Sequence, residues 1–172
     1  DRVALYLIAD LDTDLSENAH FLATLNLAVA DAVIACCNSK YHYEFWRPVT
    51  AIRLADTDGN DDTAEDLSWA PLLATPPFPE YTSGHSSASG AAAGVLADYF
   101  GDETSFTVKS QTNLSWVRSF STFSAALDEV ADARVFAGIH FRTACDVGRA
   151  AGAAVATYVL DNLMGRIHGS GE

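Results

Sequence analysis

The sequence predicts an all-α fold, a helical bundle with long connecting loops. Three observations carry that prediction. Apolar residues recur at helical spacing from position 21 to 33. A small-residue segment, SSASGAAAGVLADYF, runs unbroken to Gly101. The stretches 56–82 and 102–120 have no helical period and read as loops.

Each element follows in order. Asp14 and Glu17 resemble a capping box, in which each side chain accepts the other's backbone N–H. From there Phe21, Leu22, Leu25, Ala28, Val29, Ala32 and Val33 form one face, and the helix is expected to run to about Lys40. Pro48 suits the first turn of a short helix carrying Ile52 and Leu54, because an N–H there would be unpaired anyway. Loop 56–82 begins acidic (DTDGNDDTAED) and ends Pro-rich, and loops of that length are commonly functional. The Ala, Ser and Gly positions of the next helix let neighbouring helices approach closely. Leu127, Val130 and Arg134 belong to a further helix, and the last runs from about Thr143 to Met164. No internal repeat is present.

At 172 residues the chain is expected to be one helical domain, 1–172, able to bury a core. A net charge of −13 argues against nucleic acid or an anionic membrane surface as partner. Asp31 interrupts the first apolar stretch and Asp161 limits the last, so none is expected to reach membrane-spanning length. Cys36, Cys37 and Cys145 make no disulfide framework and read as buried free thiols. No signal peptide is visible at DRVALYLIAD, where the chain reads as a fragment or a processed product.

Against this acidic background three motifs gather cations. They are Lys40 with Arg47 in KYHYEFWRP, Ser83-Gly84-His85 in PPFPEYTSGH, and Arg134 with His140 in ARVFAGIHFR. Lys40 and Arg47 lie about two helical turns apart, and Pro48 predicts a break that turns Arg47 inward. Ser83 is a natural N-cap, and Gly84 leaves backbone N–H groups open to an anion at the helix N-terminus. Arg134 and His140 would point about 120° apart on an unbroken helix. If both reach one ligand, Gly138 is where that helix breaks.

Singly, each motif has an ordinary explanation. Lys40 and Arg47 could be surface charges in a salt bridge, Ser83 a plain cap beside a surface His85. Arg134 could pair with Asp128 or Glu129, and His140 could be a core histidine. One oxyanion site explains all three motifs and their order, with cations, a hydroxyl and imidazoles converging on one tetrahedral anion.

The pattern K-x6-R-P, S-G-H, R-x5-H resembles the superfamily of vanadium-dependent haloperoxidases and type 2 phosphatidic acid phosphatases, with the bacterial acid phosphatases. The resemblance runs from about Asp14 to Met164, and its wording is closer to the haloperoxidases. It implies a vanadate cofactor, with phosphate able to occupy the same site. His140 would be the protein ligand to vanadium. Arg47, Arg134, Ser83 and Gly84 would hold the oxygens. Lys40 would bind those oxygens and polarise bound peroxide, and His85 would serve as acid–base. Phe78 matches a position where chloroperoxidase-like members carry Phe and bromoperoxidases often carry His; a core Phe beneath the loop is the alternative. Thr82 and Ala133 stand where Pro and Ser are usual. Ala144 stands where members often place an Asp that supports the second His, so Asp146 or a backbone carbonyl is expected to support His140.

The resemblance thus implies halide oxidation by hydrogen peroxide, with a small organic acceptor, in a secreted or periplasmic protein. The chain would be the C-terminal part of a longer haloperoxidase, with a homo-oligomer among its expected partners. The same residues would serve an acid phosphatase working through a phosphohistidine, or a non-catalytic oxyanion-binding helical protein. A zinc site on His85 and His140 lacks a third ligand at metal-like spacing. Asp56, Asp58, Asn60 and Asp62 alternate like a calcium loop, but Asp61 and Leu67 occupy positions that need Gly and Glu. Asn113-Leu114-Ser115 is a glycosylation sequon.

Overall fold

A computed structural model describes residues 2–9, 11–113 and 115–163. In chain order the elements are α1 (Arg2–Ile8), α2 (Leu15–Tyr43), α3 (Pro48–Arg53), α4 (Gly84–Phe100), β1 (Phe106–Lys109), β2 (Val117–Phe120), α5 (Phe123–Phe136) and α6 (Arg142–Asn162). The architecture is the all-α bundle expected. Met164 and the central residue of the sequon, Leu114, lie outside the described residues.

The capping box at the start of α2 forms as predicted. The Glu17 N–H donates to Asp14 Oδ1 at 2.8 Å, and the Asp14 N–H donates to Glu17 Oε2 at 3.1 Å. The helix runs past Lys40 to Tyr43 and stops where Glu44 turns left-handed at φ 46°. Phe21, Leu25, Ala28, Ala32, Cys36 and Lys40 form its buried stripe, three or four residues apart, and α2 packs on α4 and α6. Val33 lies off that stripe, 42% exposed, so the apolar face is narrower than the sequence implies.

By length and composition one 18-residue window within Leu15–Arg53 is apolar enough to cross a membrane, with a mean hydropathy of 1.7. That corrects the expectation from Asp31, since one acid does not offset so many Ala, Val and Leu. The core helix of a bundle passes the same test, and the buried stripe of α2 is of that kind.

α4 and α6 approach almost to backbone contact. A Cβ on Gly152 would lie 2.1 Å from the Ser87 carbonyl oxygen, and one on Gly148 would lie 2.9 Å from that of Ser83. No side chain fits at either point. The first turn of α4 is therefore fixed against α6, and the site described below depends on it.

Residues 102–120 depart from the loop expectation. β1 and β2 pair antiparallel, with Phe106 opposite Phe120. Four-residue strands are too short for a period to show. Their aromatic and β-branched residues were the available signal, and Phe106 packs on Phe120 and Phe123 at 5.5 and 5.2 Å. Of the cysteines, Cys36 and Cys145 are buried as expected but Cys37 is exposed, and all three are free. The acidic loop closes on itself, with Thr63 Oγ1 donating to Asp58 Oδ2 at 2.8 Å and the Asn60 N–H donating to Asp58 Oδ1 at 2.8 Å.

Candidate oxyanion site

The three motifs meet at one end of the bundle. Lys40 comes from the last turn of α2, Arg47 caps α3, and Ser83 caps α4. Arg134 lies in the last turn of α5, while His140 sits between α5 and α6. The break between Arg134 and His140 falls at Gly138, whose φ of +72° is a left-handed conformation that glycine adopts without strain. A Cβ there would also press on Trp69, 3.0 Å away.

Lys40 is 3% exposed, and its ammonium spends all three protons on backbone. Nζ donates to the carbonyls of Pro79, Glu80 and Thr82 at 3.0, 3.0 and 2.6 Å. Arg47, 6% exposed, donates from Nε to Phe78 O at 3.1 Å and from Nη1 to Ile139 O at 2.7 Å. Burial lowers the pKa of both groups. These two side chains pin loop 78–82 to α2 and to the turn before α6.

Phe78 is no core residue. It is 42% exposed, and its ring centroid lies 5.2 Å from both Lys40 Nζ and Arg47 Cζ.

Ser83 is fully buried, and its Oγ accepts from the Ser86 N–H at 3.4 Å and the Ser86 hydroxyl at 3.0 Å. The N–H groups of Gly84 and His85, in the first turn of α4, have no intrahelical acceptor and carry the positive end of the helix dipole. His85 is exposed. Its pKa is lowered by desolvation first, then by Arg134 and His140, so the ring is neutral near pH 7.

Arg134 stands apart from the other two cations. Asp128 pairs with Arg149, and Glu129 pairs with Arg118, so both acids the sequence offered it are taken. Its Nε is buried with no hydrogen-bond partner among the described residues. The flanking arginines are likewise occupied, Arg142 by Asp132 at 2.7 Å and Arg53 by the Trp69 carbonyl at 2.9 Å.

His140, 5% exposed, is held on both sides. Nδ1 lies 2.7 Å from Glu80 Oε1, and Nε2 lies 3.2 Å from Arg47 Nη1. Burial lowers its pKa, the Glu80 hydrogen bond opposes that shift, and Arg47 adds to it. The support expected from Asp146 is absent, because Asp146 lies 3.2 Å from Arg149 instead. The carboxylate comes from Glu80, which sequence reasoning missed. The signal available was a lone acid inside the Pro-rich stretch PPFPEY, five residues before His85.

A family model, the VCPO second helical-bundle domain, matches residues 20–169. The chain belongs to the vanadium haloperoxidase family. Over 103 residues it is 31% identical to a vanadium chloroperoxidase of Curvularia inaequalis, a stretch covering 54% of this chain and 16% of that protein. It superposes on the crystal structure of a bacterial vanadium-dependent iodoperoxidase with a TM-score of 0.81 and 38% identity, over 94% of this chain and 37% of that one. The fold also matches a holo-type bacterial vanadium-dependent chloroperoxidase, with a TM-score of 0.70 and 22% identity, over 95% of this chain and 40% of that one. This chain therefore spans well under half the length of these relatives.

Proposed function

We propose that this chain is the catalytic C-terminal part of a longer vanadate-dependent haloperoxidase. It would oxidise halide with hydrogen peroxide to a hypohalous-acid-type species that halogenates a small organic acceptor. One arrangement carries the reading: the Nε2 lone pair of a neutral, buried His140 lies among cations, one of which, Arg134, has no acid partner among the described residues.

The residues fit vanadate by three tests. Arg134 Nε is a buried donor with no partner among the described residues, the N–H groups of Gly84 and His85 have no intrahelical acceptor, and two imidazoles among three cations suit an oxyanion. Bound vanadate would supply a Lewis-acid centre that activates peroxide toward halide without changing its own oxidation state. His140 would hold it through Nε2. Arg47 and Arg134 would each donate to its oxygens, and Ser83 with the Gly84 N–H would hold a further one. Lys40, reaching from the last turn of α2 into loop 78–82, would add positive charge beside the anion. His85, neutral and exposed, would take the proton of incoming peroxide and return it to the leaving oxygen. Phe78 would keep the rim apolar beside two cations.

The same Nε2 lone pair could attack phosphorus, which keeps a phosphatase working through phosphohistidine as the second reading. In either case we infer small-molecule substrates, no nucleic-acid or membrane partner, a secreted or periplasmic location and homo-oligomerisation.

The test is a paired assay on phosphate-free protein with and without vanadate. A halogen-accepting dye is followed with peroxide and iodide, bromide or chloride, and p-nitrophenyl phosphate is run alongside. Dye halogenation that needs vanadate and is lost on adding phosphate is the expected result. Ester hydrolysis without halogenation, inhibited by vanadate, would install the phosphatase reading instead.

A further inference from the structure

Glu80 is the only acid among the buried charged residues described, 1% exposed in a site otherwise made of cations and imidazoles. Its charge opposes anion binding. Placed beside an incoming oxyanion, a buried carboxylate repels it through a medium of low dielectric, where such repulsion is strong. A side chain that weakens the site's evident purpose needs a compensating role, and the hydrogen bonds around it supply one.

Glu80 Oε1 accepts twice, from His140 Nδ1 at 2.7 Å and from the Phe141 N–H at 2.9 Å. Its other oxygen, Oε2, is buried with no partner among the described residues. Leaving a carboxylate oxygen unsatisfied costs stability, so the group is held in place for what Oε1 does. The opposite side of the ring faces Arg47 Nη1 at 3.2 Å. A guanidinium only donates, and an ionised carboxylate only accepts. The two partners therefore fix one tautomer, with the proton on Nδ1 and the lone pair on Nε2. Backbone contacts hold the arrangement: the Glu80 N–H donates to Phe45 O at 2.9 Å, and Lys40 grips the Glu80 carbonyl at 3.0 Å.

Building on the vanadate reading, we propose that Glu80 is the positioning residue of His140 and sets which oxyanion the site prefers. By locking the Nδ1–H tautomer it presents Nε2 to an anion that can accept a nitrogen ligand, such as vanadate. Its negative charge simultaneously penalises an anion held by hydrogen bonds alone, such as inorganic phosphate. Affinity for the second kind is traded for affinity for the first. Ala144 is buried on α6 and carries no acid, so the carboxylate that orients this histidine comes from the loop preceding α4.

The two effects have opposite signs, which makes them separable. Dissociation constants for vanadate and for inorganic phosphate are measured by calorimetry on wild type, Glu80→Gln and Glu80→Asp. Nitrogen-15 NMR reads the His140 tautomer in the same samples. The expected result for E80Q is vanadate binding at least tenfold weaker, with phosphate binding unchanged or tighter. E80D keeps the charge but shortens the reach, so it should weaken vanadate without the gain for phosphate. Equal weakening of both anions by E80Q would mean that Glu80 only supports the fold and would overturn the proposal. So would an Nε2–H tautomer in wild type, a result that stands even if E80Q does not fold. Failure of wild type to bind either anion, with the Nδ1–H tautomer present, would sink the oxyanion reading while leaving the positioning geometry intact.

Discussion

The two halves of the site are built to different rules. Lys40, Arg47, Glu80 and His140 are each at least 94% buried and bonded to one another or to the backbone of loop 78–82. His85, Arg134 and the first turn of α4 keep donors that nothing in the described chain uses. The first half is part of the fold, because removing a member strands buried partners. The second half holds its hydrogen-bonding capacity for a ligand. A cluster of cations is thus not one functional unit: Lys40 and Arg47 hold the fold together whatever else they touch, while Arg134 keeps its capacity for a ligand alone.

The largest expected effect lies in the locked half. Lys40→Ala would strand the Glu80 carbonyl, leave those of Pro79 and Thr82 with only Arg47 Nη2 and Cys36 Sγ, and cost about 1–3 kcal/mol, read as a lower denaturation midpoint. Arg134→Ala should break the comparison the other way. Stability should stay within about 0.5 kcal/mol of wild type, while phosphate affinity falls by roughly tenfold to a hundredfold, as for a lost charged hydrogen bond of about 1.5–3 kcal/mol. If R134A unfolds the protein instead, the open half is structural after all.

Gly138→Ala tests the hinge between the halves. A left-handed alanine should cost about 1–2 kcal/mol, more if Trp69 cannot yield, and should weaken anion binding by tilting His140 away from Arg134. The smallest effect is on pH. His85 and His140 both titrate below the ordinary histidine value of about 6.5. The native state therefore binds fewer protons than the unfolded chain in that range. Unfolding free energy should be level above about pH 6.5 with respect to these groups and fall as pH drops through their lowered values. Denaturant titrations at stepped pH on wild type and His85→Gln would show it, the variant losing part of the slope.

Much of this was legible in the residues. The capping box, the Pro48 helix start, the Ser83 cap and the Gly138 break each rest on local chemistry that one or two side chains decide. The three motifs converge as the sequence implied because each stands at a helix end. What escaped was set by distance along the chain. Glu80 meets His140 sixty residues away, and no local pattern marks an acid in a Pro-rich loop as that histidine's partner. The sequence pointed instead to Asp146, which is close in sequence but is drawn to Arg149. The β1–β2 ribbon was missed because four residues cannot display a period.

The most direct measurement is a calorimetric titration of orthovanadate into phosphate-free protein, repeated with phosphate present. The account predicts one anion bound per chain, competitive displacement by phosphate, and binding weakened at least about tenfold in both Arg134→Ala and His140→Ala. Vanadate binding that ignores phosphate, or that both substitutions leave unchanged, would contradict an oxyanion site at this end of the bundle.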